Sequence, residues 1–492
     1  MMHEREKSDP AVRAKKSANK AEQSAAESME QRAGAKGKAI ASSTHRTQSR
    51  ASVSPGFDRL RQRATENRNE QFTALLHHLT VDLLTQAYHW LKRDAAAGVD
   101  GVTWQAYGAD LQANLADLHG RVLREAYRAQ PSRRRMILKA DGRERPLGIA
   151  SLEDKIVQRA LVEILNAIYE PEFLGLSYGF RPGRNQHDAL DALWVGIDRT
   201  PINWILDADI RAFFDTVNHD WLIRFVEKRI GDQRVVRLIR KWLKAGVMED
   251  GALKATETGT PQGSVISPLL SNLYLHHVFD IWAHQWRKRP DCGHMMIVRY
   301  ADDIVVGFQH EADARAFHAD LAARMEAFAL SLHPEKTRLI EFGRFANDRR
   351  KRRGEGKPET FAFLGFTHIC GRTRNGKFLL LRKSRRDRMR NKLNDIKEKL
   401  RNQMHKSIPE QGRWLGSVVR GYFAYHAIPA NGQALGAFRY YVICAWLRTL
   451  QRCSQRTHMT WEKMQRLARE WLPMPRITHP WPSARFVANH PR

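Results

Sequence analysis

The stretch MMIVRYADDIVVGF, residues 295–308, decides how the fold of this chain is interpreted. Two apolar runs flank the acidic pair Asp302-Asp303, a pattern that predicts a strand, a tight turn and a second strand. Such a hairpin holds two adjacent carboxylates at its tip, where like charges repel each other unless a cation lies between them. An isolated Asp-Asp pair is commonly only a solvated turn, so the interpretation depends on what the rest of the chain supplies.

The chain carries a large excess of positive charge. Its 492 residues include 82 Lys and Arg against 53 Asp and Glu, which gives a formal net charge of +29. An excess of this size attracts polyanions, so nucleic acid is the expected partner. The apolar fraction of 42% is large enough to form the cores of several domains.

The sequence indicates neither a membrane nor an oxidising compartment. No run approaches the roughly 18 apolar residues of a membrane helix, and no secretory segment follows the N-terminus. The four cysteines form no close pair, so we expect neither a disulfide framework nor a zinc ribbon. These features predict a cytoplasmic protein without a membrane partner.

A second apolar stretch that carries acids is WILDADIRAFFD, residues 204–215. Side chains alternate along a strand, so Asp207 and Asp209 fall on one face and spacing alone does not separate them. Two-metal phosphoryl transfer needs carboxylates from separate strands that hold two cations about 3.5 to 4 Å apart. Hard oxygen ligands beside a triphosphate favour Mg²⁺ over Zn²⁺.

Basic residues dominate two other regions. The runs 133–139 and 145–149 around Asp141-Gly142 predict a basic hairpin. Between residues 344 and 406, 21 Lys and Arg stand against six Asp and Glu, which by itself is often only a solvated face. Here the run precedes helices with apolar stripes, so it predicts a helical module whose basic outer face suits a phosphate backbone.

Eight sequence blocks occur in an order that is typical of one family. They cover residues 98–101, 139–149 and 178–184, the region of Asp209, residues 259–263, the region of Tyr300, and residues 332–337 and 363–366. Each block is a weak motif, whereas eight in order are specific. From about residue 57 to its end, the chain resembles the reverse transcriptases of the bacterial group II intron-encoded (maturase) family.

The resemblance implies an α+β fold, that of a right-hand polymerase with fingers, a palm containing a small antiparallel sheet, and an all-helical thumb. Residues 1–55 are rich in Ala, Ser, Lys, Arg and Gln, so we expect a disordered basic arm there. The resemblance divides the rest of the chain into an N-terminal extension with fingers (56–200), a palm (201–370), and a thumb or maturase domain X with a short basic tail (371–492). No zinc-binding Cys pairs or His-Asn-His signature follows, so we expect a member without the HNH endonuclease domain.

Position by position, the resemblance implies that Asp209, Asp302 and Asp303 are the catalytic, metal-binding triad. The backbone carbonyl of Ile210 is expected to join them as a metal ligand. Two Mg²⁺ ions, for which Mn²⁺ can substitute, are the implied cofactors. Asp207 is then expected to be structural.

Four residues are expected to bind the dNTP. Lys139 and Arg145 match fingers residues that grip the triphosphate, where arginine adds bidentate contacts. Phe214 matches the bulky position that excludes a ribose 2′-hydroxyl, although an aromatic here could also be a core residue. Gln262 is expected to lie beside the nascent base pair.

Four further residues are expected to bind nucleic acid. Arg181 and Arg184 are expected to contact template phosphates. Gly263 is expected to let the backbone approach closely, since glycine lacks a Cβ atom. Tyr300 is expected to support the hairpin beneath the primer end.

The sequence therefore predicts an RNA-directed DNA polymerase of a group II intron that also binds intron RNA to promote splicing and retrohoming. The expected partners are the group II intron RNA, an RNA template with a DNA primer, target DNA and dNTPs. One alternative is a domesticated, intron-free reverse transcriptase in DNA repair or phage defence. Another is a non-enzymatic RNA-binding splicing chaperone, which predicts lost carboxylates, whereas all three are present.

Overall fold

The computed structural model describes residues 55–138, 144–249, 252–255, 257–260, 263–453 and 459–489. The predicted basic arm, the fingers residue Lys139 and the turn residue Gln262 lie outside the described residues. Arg145 is described as part of a strand, without its side chain. The first helix begins at Pro55.

Helices and short strands alternate along the chain. The helices are α1 (Pro55–Glu66), α2 (Val81–Trp90), α3 (Trp104–Gly108), α4 (Leu111–Leu123), α5 (Leu152–Tyr169), α6 (Gln186–Arg199), α7 (Phe213–Thr216), α8 (His219–Glu227), α9 (Gln233–Lys244), α10 (Ser267–Leu275), α11 (Ile281–Trp286), α12 (Glu311–Ala327), α13 (Ala346–Arg352), α14 (Arg386–Asn402), α15 (Ile408–His426), α16 (Gly432–Cys453), α17 (Trp461–Trp471) and α18 (Pro482–Asn489). The strands are β1 (Ser132–Leu138), β2 (Glu144–Ile149), β3 (Trp204–Asp209), β4 (Val247–Glu249), β5 (Ala252–Lys254), β6 (Met295–Tyr300), β7 (Asp303–Phe308), β8 (Arg338–Glu341), β9 (Phe361–Phe363), β10 (Phe366–Arg372) and β11 (Phe378–Ser384). A 3₁₀ turn (Leu76–His78) precedes α2, and a π-helical turn (His276–Asp280) joins α10 to α11.

The central sheet has the strand order β6-β7-β3-β8, and all its pairs are antiparallel. The hairpin predicted from residues 295–308 is confirmed: β6 pairs with β7 so that Tyr300 faces Asp303 across a two-residue turn. The Val and Ile residues of β7 are buried on both faces of the sheet. That burial explains why this strand reads as a continuous apolar run rather than an alternating one.

The hairpin sheet has the order β2-β1-β4-β5 and contains the predicted basic hairpin, which is confirmed. Strand β1 runs antiparallel to β2, and its other edge pairs in parallel with β4. The third sheet, β11-β10-β9, is antiparallel. Helices mixed with small, mainly antiparallel sheets confirm the predicted α+β class.

Three hydrophobic cores organise the described residues. The largest joins the N-terminal helices to one face of the central sheet, and the second joins the other face to α6 and the third sheet. The third core lies inside a helical unit built from α14 to α17. The predicted boundary at residue 370 falls inside β10, and the helical unit begins only at Arg386, because β10 and β11 pair along their whole length.

The segment predicted as a short basic tail contains helix α18, which packs against α6. None of the described helices combines the length and the apolar character that a membrane span requires.

Candidate active site

The three acids singled out in the sequence meet at the tip of the β6–β7 hairpin. Asp303 is the first residue of β7 and lies directly opposite Asp209, the last residue of β3. Asp302 occupies the turn immediately before Asp303. Directly opposed residues on antiparallel strands have Cβ atoms about 4.5 to 5.5 Å apart. The fold therefore brings carboxylates from two strands to one edge of the central sheet.

The electrostatics of this edge favour the capture of a cation. The Asp303 side chain is open to solvent on one side, while protein surrounds its other sides. This desolvation, reinforced by the charges of Asp302 and Asp209, raises the pKa of Asp303 to about 7. Desolvation likewise raises the pKa of Asp207 to about 6, although the charge of Arg338 acts in the opposite direction. A bound cation would relieve the repulsion between these carboxylates.

Three basic side chains lie at the same edge of the central sheet. The sequence alone predicts no role for them at this site. Lys336 Nζ lies 2.7 Å from Asp209 Oδ2, and Arg338 Nη2 lies 3.8 Å from Asp207 Oδ2. Arg388, in the first turn of α14, lies near enough to Asp303 to offset part of the rise in its pKa. Lys336 stood inside the quoted block 332–337, so its position in a motif was an available signal.

The donor set fits a hard divalent cation. Carboxylate oxygens are the ligands that Mg²⁺ prefers, and the raised pKa of Asp303 shows that like charges converge here. Within the described ranges, however, no three His, Cys, Asp or Glu side chains are already arranged as a metal-binding group. A cation that binds Asp209 must therefore compete with Lys336 for the carboxylate.

The turn that carries Asp302 is held from beneath by a buried ion pair. Arg299 and Asp280 are both fully buried, and their two contacts measure 2.7 and 2.6 Å. Arg299 Nη1 also donates to the carbonyl of Ala301 at 3.0 Å. Ala301 has φ = 56°, a conformation that non-glycine residues adopt only where the surroundings enforce it. The ion pair provides such surroundings.

A backbone segment reinforces the same turn from the side. Tyr178 N donates to the carbonyl of Arg299 at 2.9 Å, so residues 177–179 extend the sheet beside β6. A Cβ atom on Gly179 would lie 2.3 Å from the Ala301 nitrogen, which explains the glycine at this position. Asn272 Nδ2 donates to the Gly179 carbonyl at 2.7 Å and so joins this segment to α10.

Comparison with known proteins places this site in a family. The family model "Reverse transcriptase (RNA-dependent DNA polymerase)" matches residues 137–368, which include Asp209, Asp302 and Asp303. Protein YkfC of Escherichia coli K12 is 33% identical over 325 residues, which is 60% of this chain and 81% of YkfC. The group II intron-encoded protein LtrA of Lactococcus lactis subsp. cremoris is 35% identical over 224 residues, 45% of this chain and 37% of LtrA.

The chain belongs to the group II intron reverse transcriptase/maturase family. The resemblance expected from the sequence is therefore confirmed. An uncharacterized 91 kDa protein in the cob intron of Schizosaccharomyces pombe is 31% identical over 390 residues, 66% of this chain and 47% of that protein. The chain thus spans less than half of the length of LtrA and of the fission yeast protein.

Of the two arginines in the family block at 178–184, Arg181 does not face a template. Its side chain is 3% exposed and uses every guanidinium N–H group within the protein. Those groups donate to the Glu170 carboxylate and to the carbonyls of Phe173, Leu174 and Ser177. The predicted template contact of Arg181 is wrong in this structure, because the guanidinium serves to fold the loop.

Arg184 is half-buried rather than enclosed. Its Nη1 donates to the carbonyls of Gly175 and Ser177, and its guanidinium lies 5.2 Å from the centre of the Tyr178 ring. The contact of Arg184 with template phosphate stays a prediction. Sequence reasoning could not separate it from Arg181, since both lie in the same short motif.

Phe214 lines a cavity between the hairpin sheet, helix α7 and residues 257–260. Strand β3 ends at Asp209, and Ala212, three residues later, adopts φ = 46°. Helix α7 then presents the half-buried Phe214 ring, which packs edge-on against Phe213. The cavity measures about 370 Å³, and its other walls include Gly148, Gly259 and Arg134. Phe214 is thus a cavity wall as well as a packed aromatic, which is compatible with the predicted sugar filter.

The backbone at Gly263 lies close to another part of the protein, strand β2. Its φ is +104°, and a Cβ atom there would lie 2.5 Å from the carbonyl oxygen of Gly148 in β2. The neighbouring Ser264 Oγ and Val265 N both donate to Gln158 Oε1, at 2.8 and 3.0 Å. The absence of a Cβ atom thus lets this turn contact β2, and the approach of nucleic acid to Gly263 stays a prediction.

The remaining predicted residues are located but not assigned. Tyr300 is half-buried, and its hydroxyl hydrogen bonds to Gln186 at the start of α6. The side chain of Ile210 is buried in the largest core. In β2, the backbone of Arg145 pairs with Ile137 of β1.

Proposed function

We propose that this chain is the RNA-directed DNA polymerase of a group II intron and that it also binds intron RNA to promote splicing and retrohoming. The observation that carries the proposal is the alignment of Asp209 with Asp303 beside Asp302, inside the region that matches the reverse transcriptase family. In this proposal the central sheet is the palm, the hairpin sheet belongs to the fingers, and the helical unit is the thumb or maturase domain X.

Asp209, Asp302 and Asp303, with the carbonyl of Ile210, would hold two Mg²⁺ ions, for which Mn²⁺ can substitute. The ions supply a lowered pKa for the attacking primer hydroxyl and charge neutralisation for the leaving pyrophosphate. The chain's own contribution is to fix the carboxylates. Arg299 and the segment 177–179 hold the turn, which supports the backbone that carries Asp302 and Asp303.

The incoming nucleotide would occupy the cavity beside Phe214. The aromatic ring cannot accept a hydrogen bond from a 2′-hydroxyl and leaves no room for it, so a dNTP is preferred over an NTP. Lys139 and Arg145 would grip the triphosphate, and Gln262 would lie against the nascent base pair. Arg184, Gly263 and Tyr300 would position the template and the primer end.

Charge and family relatedness support the RNA-binding part of the proposal. The net charge of +29 suits a structured polyanion, and LtrA is by name an intron-encoded protein. An inactive splicing chaperone would have no reason to retain three carboxylates on a rigid, buried support. Retention of that support favours an active polymerase.

The proposal is tested by replacing Asp302 and Asp303 together with Asn. Mg²⁺-dependent cDNA synthesis on an RNA template should fall by at least about 10³-fold, because metal binding needs the negative charge. Affinity for intron RNA should stay within a few-fold. Asp220→Asn, at an exposed position in α8, is the matched control and should retain synthesis. Retained synthesis in the double variant would refute the site assignment.

Splicing needs a separate measurement. The double variant should still accelerate the splicing of its intron precursor, because RNA binding does not use the carboxylates. If the protein does not bind or splice the intron transcript that flanks its gene, the intron part of the proposal fails while the polymerase part stands.

A further inference from the structure

Residues 257–260 form one wall of the cavity that Phe214 lines, and this wall rests on α7 and the loop that follows it. Thr260 N donates to the carbonyl of Phe214 at 2.7 Å, and Gly259 N donates to the carbonyl of Val217 at 2.8 Å. Both contacts join backbone atoms. The wall therefore follows the backbone of the helix that carries the Phe214 ring.

Gly259 is in direct contact with that helix. Its φ is +86°, and a Cβ atom there would lie 2.8 Å from the carbonyl oxygen of Phe214 and 3.0 Å from Asp215 Cα. Glycine alone allows both this conformation and this approach. Any displacement of Gly259 therefore changes the space beside the Phe214 ring.

A side chain holds the carbonyl group of Gly259. His219 Nε2 lies 2.6 Å from this oxygen. A carbonyl oxygen can only accept a hydrogen bond, so Nε2 carries the hydrogen and donates it. His219 is half-buried and is the first residue of α8. Unlike the backbone contacts of this wall, the His219 contact can be removed by a substitution.

The start of α8 is itself well fixed, so it can act as a support. The Asn218 side chain caps the helix by accepting from Trp221 N at 3.0 Å. Asn218 also pairs with Thr258 in an antiparallel bridge, and Leu222 in the first turn is fully buried. His219 therefore projects from a helix start that is anchored both in the core and against the cavity wall.

The other end of the block 259–263 is held by a different part of the protein. Gly263 lies against β2, where a Cβ atom would be 2.5 Å from the carbonyl oxygen of Gly148. Gly148 also lines the cavity. The block thus begins at one wall of the cavity and ends at another, and His219 holds the end that contacts Phe214.

We propose that His219 is a positioning residue for sugar selection, because its hydrogen bond to Gly259 sets the width of the cavity beside Phe214. The Phe214 ring supplies the bulk that collides with a ribose 2′-hydroxyl, and the Gly259 wall leaves that hydroxyl no room to shift aside. His219 is not among the described residues that line the cavity, so it acts through Gly259. This role rests on the proposed function, since it concerns the nucleotide that the cavity would hold.

The test measures kcat/KM for single incorporation of a dNTP and of the matching NTP by the whole chain. His219→Leu removes the donor and should lower the preference for the dNTP by about three- to tenfold, because one hydrogen bond is lost from the wall. The change should lie mainly in a higher kcat/KM for the NTP, as the ribose is accommodated better.

Two amide variants separate a positioning role from a general loss of structure. His219→Gln places an N–H donor close to the position of Nε2 and should restore most of the preference. His219→Asn places its donor nearer to the position of Nδ1, out of reach of the Gly259 carbonyl, and should not restore it. His318→Leu, at a half-buried position in α12, is the control and should leave the preference within twofold.

A double variant tests whether His219 and Phe214 act on the same barrier. Once Phe214→Ala has opened the cavity, adding His219→Leu should change the preference by less than about twofold, because the effects of residues that share one structural unit do not add. Urea denaturation reports whether each variant is folded. If His219→Leu does not fold, the comparison of the Gln and Asn variants decides.

His219 has no part in sugar selection if the folded Leu variant keeps the original preference, if the Gln and Asn variants behave alike, or if the losses from Phe214→Ala and His219→Leu multiply. In each of these cases the proposed function still stands, provided that the unaltered chain makes cDNA. A chain that makes no cDNA would refute the proposed function instead. A loss of preference that Gln reverses and Asn does not supports the role of His219.

Discussion

Lys336 contacts one of the three carboxylates that are proposed to hold the metal ions. Its ammonium contacts Asp209 at 2.7 Å, and both side chains are partly exposed, at 52% and 28%. A divalent cation and the ammonium group compete for the same carboxylate oxygen. The strength of this contact therefore enters directly into the apparent affinity for Mg²⁺.

We expect Lys336→Gln to lower the Mg²⁺ concentration that gives half-maximal cDNA synthesis. An exposed ion pair contributes about 0.2 to 1 kcal/mol, so the shift should be about 1.4- to fivefold. The measurement is a Mg²⁺ titration of single-nucleotide incorporation. Lys336→Arg keeps the positive charge and should leave the midpoint unchanged. A higher Mg²⁺ requirement in the Gln variant would show that Lys336 helps to hold the metal site rather than compete for it.

In the proposed function, Phe214 selects the sugar of the incoming nucleotide. Replacing the ring with Ala opens the cavity beside the nucleotide, so ribonucleotides should be incorporated with kcat/KM at least about tenfold higher, as steric rejection is lost. Incorporation of dNTPs should change by only a few-fold. Phe214→Tyr keeps the wall and is the control. If the Ala variant still discriminates equally between dNTPs and ribonucleotides, Phe214 is only a core residue that packs on Phe213.

Arginines illustrate what sequence can and cannot predict at the residue scale. Motif position predicted a template contact for Arg181, yet this guanidinium is enclosed by carbonyls and by Glu170. Arg299 lies in a strand of apolar residues that gives no signal of its role, yet it holds the turn that carries Asp302. Whether an arginine faces solvent depends on the chain that packs over it, which residue type and spacing do not report.

At the scale of an element, the β6–β7 hairpin carries Asp302 and Asp303 on a turn that the surrounding structure supports. Its strands are buried, its turn is short, and the ion pair of Arg299 with Asp280 lies directly beneath. Removing one partner of a fully buried pair leaves an uncompensated charge, which costs about 3 to 5 kcal/mol.

We therefore expect Asp280→Ala to reduce the free energy of unfolding by about 3 to 5 kcal/mol. Synthesis by the folded fraction should fall as well, because Ala301 and Asp302 lose their support. Urea denaturation and primer extension check the two effects. Glu311→Gln, which breaks an exposed pair with Arg315, should cost less than about 0.5 kcal/mol. A stable and active Asp280 variant would contradict the supporting role.

Helices and strands could be predicted from the sequence where a short run of neighbouring residues determines them. The apolar runs around Asp302 predicted two strands correctly, and the basic runs predicted β1 and β2. The domain boundary at residue 370 was misplaced, because the pairing of β10 with β11 is decided by partners across a turn. The cleft between α14 and α16 was beyond prediction, since it exists only where these two helices pack together.

Across the whole molecule, buried histidines link stability to pH. Desolvation lowers the pKa of His187 to about 2 and those of His368 and His426 to about 3. In the unfolded chain these groups titrate near 6.5. Below that pH the unfolded state binds more protons than the folded state, so stability is full above about pH 6.5 and falls as the pH drops towards 3.

We expect the free energy of unfolding to fall by about 1.4 kcal/mol per pH unit for each such histidine below pH 6. His368→Phe should reduce this slope by about 1.4 kcal/mol per pH unit, the contribution of one histidine. The new ring can stack on Phe361 without taking up a proton. Urea denaturation between pH 5 and 7 measures the slope. His405→Gln, at an exposed position, should leave it unchanged. An unaltered slope in His368→Phe would mean that His368 is protonated in the folded protein.

The C-terminal segment ties the helical unit to the sheets. His479 Nε2 hydrogen bonds to the carbonyl of Ala424 in α15 at 2.8 Å, and Arg485 in α18 contacts the buried Asp191 of α6. Asp191 also pairs with the buried Arg382 of β11 at 3.2 Å. One carboxylate thus joins α6, β11 and α18.

Arg485→Gln should loosen this link without exposing the buried Arg382–Asp191 pair. If the helical unit is the thumb, it must close on the primer–template to keep the enzyme bound between additions. We therefore expect several-fold shorter products per binding event, measured against a heparin trap, while the rate of a single incorporation stays within about twofold. Arg466→Gln breaks an exposed pair with Glu462 in α17 and should leave product length unchanged. Equal product lengths for the Arg485 variant and the unaltered chain would mean that α14 and its neighbours hold their position without the C-terminal segment.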